Sequence, residues 1–290
     1  MPSADITEFR RALASSQKII VLSGAGLSAA SGIATFRGTG GRWGKYNASD
    51  VATPAAFAES QSKVWQFFHY RREEMRDKKP NEAHYVLARL AIPSIRHAIA
   101  PGSTLTHITQ NIDTLCTRAL AETETTLRLT HPEPPSEIIE MHGRIFDVAC
   151  TSTHDCDYHA TNLDSPICPG LAGTEIQVAA EELDARVKRK DLPTCPRPGC
   201  GAMLRPDVVW FGERPKRIED ILALADDADL CLVVGTSALV QPASKIGGQV
   251  KNHGGKVAVF NVEGSTNHAD EADFLFVGPC EVTLGEVLGI

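Results

Sequence analysis

The sequence predicts an α/β fold, a doubly wound parallel sheet that carries a small inserted module. Three observations predict it. Short β-branched apolar runs alternate with stretches of helical periodicity. The first such run closes on a glycine-rich turn leading into a helix. A segment rich in Cys, Pro, Asp and Thr, from Cys150 to Cys200, interrupts that rhythm, which returns after Leu204.

Residues 4–16 read as a short helix, with Ile6, Phe9 and Leu13 on one face. Lys18 to Leu22, KIIVL, reads as a buried strand, and Gly24-Ala25-Gly26-Leu27-Ser28-Ala29 follows at once. Residues 38–49, GTGGRWGKYNAS, read as a loop. From 55 to 90 the pattern is helical, with Trp65, Phe67, Phe68 and Tyr70 close together. A second strand is expected at Leu105–Thr109, placing Gln110, Asn111, Ile112 and Asp113 at its carboxyl end. Residues 121–137, with ETETT and HPEPP, read as a surface excursion. Further on, 208–211 and 229–234 read as strands around a helix at 217–228, and 256–260 as another strand. No internal repeat is visible.

The 290 residues allow one large domain, or a large and a small one. Lys plus Arg is 29 and Asp plus Glu is 36, giving a net charge of -7. A protein built to hold nucleic-acid phosphates carries the opposite balance, so direct nucleic-acid binding is not expected. No apolar run approaches the roughly 18 residues of a membrane span. Hydrophobic residues make up 42%, which excludes disorder for most of the chain. The N-terminus lacks the apolar core of a signal peptide. Eight cysteines are too sparse for a disulfide scaffold, so the close pairs read as metal ligands in a reducing compartment.

Strand, Gly24-x-Gly26-x-x-Ala29, helix is the arrangement in which glycines allow a tight turn and let a pyrophosphate approach the backbone. The sheet is therefore expected to be Rossmann-like. The acidic ribose partner normally found about 20 residues further on is missing, and Asp50 is a poor substitute. A standard hydride-transfer dehydrogenase is not expected. Cys150-x5-Cys156 and Cys195-x4-Cys200 offer four thiolates on two turns, which suits a closed, structural zinc site. His154 or Cys168 are alternatives to Cys156, because the first spacing is wide. Cys116, Cys231 and Cys280 fit the core or a ligand edge. Ser23, Asn111, Asp113, His142, Ser237 and Asn261 are polar groups at strand ends, where ligands of open α/β sheets sit.

Taken together these residues resemble the sirtuin family of NAD-dependent protein lysine deacylases. The matching text is GAGLSAASGIATFRG (24–38), TQNIDTL (109–115), MHG (141–143), the two Cys pairs, LRPDVVWFGE (204–213), VVGTS (233–237) and FNVE (260–263). VATPAAFA (51–58), VWQFFHYRREEM (64–75) and SPICPGL (165–171) are most similar to the branch that removes malonyl, succinyl and glutaryl groups. The resemblance implies a division of the chain. Residues 1–41, 100–145 and 205–290 would form the Rossmann-like NAD-binding domain. Residues 42–99 would form a cofactor loop and helical acyl-pocket module, and 146–204 the zinc module.

The resemblance also assigns roles. Gly24, Ala25, Gly26, Ala34, Thr35, Phe36, Arg37 and Trp43 would hold NAD, with Gln110, Asn111, Ile112 and Asp113 around the nicotinamide ribose. Gly235, Thr236, Ser237, Asn261, Val262, Glu263 and Cys280 would line the adenosine side. The acyl oxygen would attack the ribose as nicotinamide leaves. His142 would be the general base, helped by Asn111 and Asp113; an imidazole titrates near neutrality, as that task requires. Zinc on Cys150, Cys156, Cys195 and Cys200 would take no part in catalysis. The Val209-Trp210-Phe211-Gly212-Glu213 backbone would pair with an extended acyl-lysine peptide.

For the acyl group, the branch carries a Tyr-x-x-Arg that holds the distal carboxylate, and a small residue that opens the pocket. Here those positions are Phe68, Arg71 and Ala52. Arg71 favours a carboxylate partner, whereas Phe68 lacks the hydroxyl, so acidic acyl preference is weakened and deacetylation enters. The alternatives are a protein ADP-ribosyltransferase, mainly a deacetylase, or an NAD-binding module without chemistry. A monomer at a cytoplasmic address is expected, with mitochondrial or nuclear as the other addresses.

Overall fold

A computed structural model of the chain describes residues 1–35, 42–43, 46–127, 133–152, 154–179, 187–237, 240–263 and 272–290, with 42–43 and 46 as backbone alone. The described residues form two units. The first comprises Met1–Ile33, Lys79–Met141 and Arg217–Ile290; the second comprises Ala34–Lys78 and His142–Lys216.

The first unit is built on Lys18–Ser23, whose KIIVLS is buried along nearly its whole length. Ile19 and Val21 enter one apolar cluster and Ile20 and Leu22 the other. Both faces are covered, which is why the run is continuous rather than alternating. It pairs in parallel with Thr104–Thr109 on one side and Leu230–Val234 on the other. Ile138–Glu140, Lys256–Asn261 and Phe274–Val277 extend the sheet to six parallel strands. Counted along the chain, the spatial order is 3-2-1-4-5-6, that of a Rossmann-type sheet. The switch in direction falls between the ends of the first and fourth strands, Ser23 and Val234.

The opening helix, Ile6–Ser15, is capped by Asp5, whose side chain accepts the N–H groups of Thr7 and Glu8. Its Phe9 meets Phe260, Phe274 and Phe276 edge-on at 6.0, 5.5 and 5.3 Å between ring centres. Full burial of such a ring contributes roughly 1.5–3 kcal/mol.

The second unit holds an antiparallel sheet in the order His159–Thr161, Gly143–Cys150, Leu204–Val208. Against it lies the helix Gln61–Arg76, whose buried Trp65 donates its indole N–H to the Leu204 carbonyl at 2.9 Å. Arg72, equally buried, donates to the carbonyls of Ile145 at 3.2 Å and Asn162 at 2.6 Å. Burial pulls its guanidinium down to about 10.

Two sequence expectations change. The strand expected at 208–211 lies at Leu204–Val208 and ends where that expectation begins; Pro206 within it had hidden the run, since proline is confined to edges and irregular pairings. The helix Leu115–Leu127 continues through the first part of the 121–137 excursion, burying Thr123. The helical pattern of 55–90 is carried by three helices, Pro54–Glu59, Gln61–Arg76 and Glu82–Ala91. Among the described residues no helix is long and apolar enough to cross a membrane.

Candidate functional site

In the first unit the carboxyl ends of the strands form a backbone cradle. The Gly24 N–H donates to the Val234 carbonyl at 3.0 Å, and the Gly26 N–H to the Gly235 carbonyl at 2.7 Å. A Cβ on Gly26 would lie 2.7 Å from that carbonyl oxygen, and one on Gly24 2.7 Å from the Thr236 Cβ. Gly235 has φ +59, and a Cβ there would meet the Leu27 nitrogen at 2.3 Å. The glycines are therefore required by main chain meeting main chain. Gly235→Ala is expected to cost on the order of 3 kcal/mol. A lowered thermal midpoint checks it, and native stability would contradict it.

Polar groups converge beside this cradle. Gln110 donates its backbone N–H to the Ser23 carbonyl at 3.0 Å and its side-chain amide to Thr236 Oγ1 at 3.2 Å. Asn111, buried, donates to the Gly24 carbonyl and to Ser28 Oγ, both at 3.1 Å. Ser28 Oγ donates to Asp113 Oδ2 at 2.6 Å, while Asp113 Oδ1 accepts the Leu115 N–H at 2.9 Å. Thr114 follows with φ 65, a conformation costly for a β-branched residue and one that recurs at functional sites. Asn261 donates to the Thr236 carbonyl at 2.9 Å. Cys280 is buried with its thiol on the Phe260 carbonyl, Ser237 is half-buried, and Val262 and Glu263 are exposed.

Sequence reasoning missed two histidines here. His84 Nδ1 accepts the Asn81 N–H at 3.2 Å, so in the neutral ring Nε2 carries the proton and faces Ser28 Oγ at 3.3 Å. Burial, with His107 nearby, pushes His84 down to about 3. Burial pushes His107, paired with Ser23 Oγ at 2.8 Å, down to about 4. Both rings are thus neutral hydrogen-bonding parts. A proton-ordered chain runs His84, Ser28, Asp113 and fixes the carboxylate. The signal was present: Asn81 and His84 stand at the spacing of a capping box.

In the second unit, the His142 carbonyl accepts the Val209 N–H at 2.8 Å. Gly143 has φ +78, and a Cβ there would lie 2.1 Å from the Asp207 carbonyl oxygen. The half-buried His142 is thus anchored through its own main chain and its neighbour's. Trp210 is buried between Phe57, ring centres 5.1 Å apart, and Phe68, 6.3 Å apart, with Arg205 stacked at 3.6 Å. The Ala52 carbonyl accepts the Phe211 N–H at 2.9 Å. Ala52, Phe68 and Trp210 are therefore brought into one wall. Arg71 lies one turn along the helix from Phe68, buried and ion-paired with Glu74.

Glu213 takes both Arg205 guanidinium nitrogens, at 2.6 and 2.8 Å, and the Trp210 N–H at 2.9 Å. The N–H groups of Val209, Trp210, Phe211 and Glu213 are all spent within the chain. Ala34 is exposed and Thr35 half-buried. Phe36 and Arg37 lie outside the described residues, as does the Trp43 side chain.

Four sulfurs complete the second unit. Cys150 and Cys200 Sγ are 3.6 Å apart, as are Cys156 and Cys195, and all four lie within 4.8 Å of one another. A tetrahedral zinc with Zn–S of about 2.3 Å places its sulfurs about 3.8 Å apart, so the thiols fit that ion. Cys168 points its thiol at the Asp191 carbonyl at 3.2 Å, and His154 is exposed. Cys156 therefore stands in the cluster and its two alternatives do not.

Residues 24–242 match the model of the Sir2 family. The chain is 43% identical over 289 residues to "NAD-dependent protein deacylase sirtuin-5, mitochondrial" of Canis lupus familiaris, covering 99% of this chain and 86% of that one. It is 41% identical to the protein of that name from Danio rerio, covering 99% and 87%. With "NAD-dependent protein deacylase" of Pyrococcus abyssi the identity is 40%, covering 98% and 95%. Among solved structures, a Sir2 homologue in complex with NAD superposes with TM-score 0.75 at 30% identity, covering 100% of this chain and 95% of that one. Matched over most of its length by the family model and over nearly all of it by these relatives, the chain belongs to the Sir2 family.

Proposed function

We propose that this chain is an NAD-dependent protein lysine deacylase of the branch that takes malonyl, succinyl and glutaryl groups, with acetyl within its range. The observation that carries the reading is the glycine cradle at the sheet's switch point, set beside buried Asn111 and Asp113, in a Sir2 chain whose relatives are named deacylases over nearly its full length.

The residues fit NAD because the glycines at 24, 26 and 235 let main chain pack on main chain and keep side chains out of the switch point, where a diphosphate would lie. Bound NAD would supply an electrophilic ribose carbon as the acceptor for the acyl group, with nicotinamide as the leaving group. Asn111 and Asp113, held by Ser28, orient the ribose end. Thr236, Ser237 and Asn261 line the adenosine end. His142 would serve as the general base, with an imidazole nitrogen as the proton acceptor for a ribose hydroxyl. Phe68, Trp210 and Ala52 would exclude water from the acyl chain, and the Trp210 indole N–H is buried without a hydrogen-bond partner among the described residues. The substrate is an acyl-lysine in a peptide. Cys150, Cys156, Cys195 and Cys200 would hold one zinc ion as a staple. The relatives from Canis lupus familiaris and Danio rerio are named mitochondrial, which supports that address over the cytoplasmic one.

One peptide bearing acetyl-, malonyl-, succinyl- or glutaryl-lysine, incubated with NAD, is expected to lose its acyl group as nicotinamide appears. Mass spectrometry that shows ADP-ribose gained by the peptide or the enzyme, with the acyl group retained, would replace this reading by a transferase one.

A further inference from the structure

The helix Gln61–Arg76 ends in RREEMR, in which each charged side chain has a partner. Arg72 turns to the main-chain carbonyls of Ile145 and Asn162. Glu73 accepts the Ser165 hydroxyl at 2.6 Å and lies 3.6 Å from Arg76. Glu74 turns back one step and pairs with Nη1 of Arg71. The Arg71 side chain is 7% exposed and that of Glu74 is 22% exposed, so the pair is largely withdrawn from water. Arg71 shares its helix face with Phe68, three residues earlier, which packs on Trp210.

We propose that Glu74 is a specificity-determining residue of the acyl pocket: it occupies the guanidinium that would read an acyl carboxylate, so neutral acyl groups are taken at least as readily as acidic ones. The inference rests on the deacylase reading and on Arg71 lining the acyl pocket. An acidic acyl group meets two penalties here. It must draw Arg71 away from Glu74, leaving a poorly hydrated carboxylate without its partner. It also brings a second negative charge beside the first. A neutral acyl group meets neither, and packs on Phe68 with the ion pair intact. Glu74 thus acts in the same direction as the hydroxyl missing from Phe68.

The test compares kcat/KM for succinyl-lysine and acetyl-lysine in one peptide. Glu74→Gln keeps the shape and an acceptor for Arg71 while removing the charge. It is expected to raise the succinyl-to-acetyl ratio about tenfold or more, mainly through a lower KM for the succinyl peptide. Glu74→Asp, which keeps the charge, is expected to hold the native ratio, and Arg71→Met combined with Glu74→Gln to lose the gain. An unmoved ratio in Glu74→Gln, or a gain that survives without Arg71, overturns the inference. The native chain gives an arm free of folding effects: the neutral amide isostere of succinyl-lysine is expected to be hydrolysed faster than succinyl-lysine itself. The reverse order overturns the inference and leaves the deacylase reading standing. No turnover of any acyl peptide with NAD overturns both.

Discussion

His142→Ala is expected to lower NAD-dependent deacylation by about 10²- to 10⁴-fold, the usual contribution of a positioned general base. The thermal transition is expected to survive. The contacts that hold residue 142 are main-chain ones, the carbonyl that accepts the Val209 N–H and the pairing of Gly143 with Val208, and alanine keeps both. Binding of the dinucleotide is expected to persist, because the glycine cradle and the Asn111–Ser28–Asp113 bonds do not involve this side chain. The decisive comparison is turnover against NAD binding, by nicotinamide release and calorimetry on one preparation. Turnover within a few-fold of native would remove His142 from the role of base. Loss of both binding and turnover would make it a structural residue.

Removing the metal is the second large effect. Metal analysis is expected to give one zinc per chain, and stripping it with a strong chelator, or Cys195→Ser, is expected to unfold the small sheet of the second unit. Structural zinc sites in small peptides hold about 10–16 kcal/mol of apparent binding energy, more than a module of this size gains from its core. That core is small, and the metal ligands are part of it: Cys150, Cys156 and Cys195 pack with Trp65, Leu171, Leu192 and Leu204. Trp65 therefore reports the event, and its emission is expected to shift to longer wavelength on chelation. A zinc-free chain with native Trp65 emission and native melting would contradict the thiolate cluster as a staple.

The parts of the site legible in the sequence were those written contiguously. Gly24, Gly26 and the strand before them lie within nine residues, and a strand buried on both faces advertises itself as KIIVLS. The thiol pairs were legible because metal ligation constrains spacing more tightly than packing does. The His84–Ser28–Asp113 chain was not, because its members come from three segments that only the sheet order brings together. Glu74 was hidden for another reason. In RREEMRDKK every charge has several neighbours of opposite sign, and burial, not spacing, decides which pair forms. Residues 209–211 were misread as strand because their aromatic and β-branched side chains suit a pleat, whereas their N–H groups are consumed by His142, Glu213 and Ala52.

Gly143 shows how shape and chemistry become entangled. On the deacylase reading, a saturation library over residues 142 and 143 would return one survivor at each, yet for unrelated reasons: proton transfer at the first, and an oxygen from Asp207 filling the space of a methyl group at the second. Intolerance to substitution alone would nominate both as functional residues, and only an assay that scores folding apart from turnover tells a base from a backbone requirement.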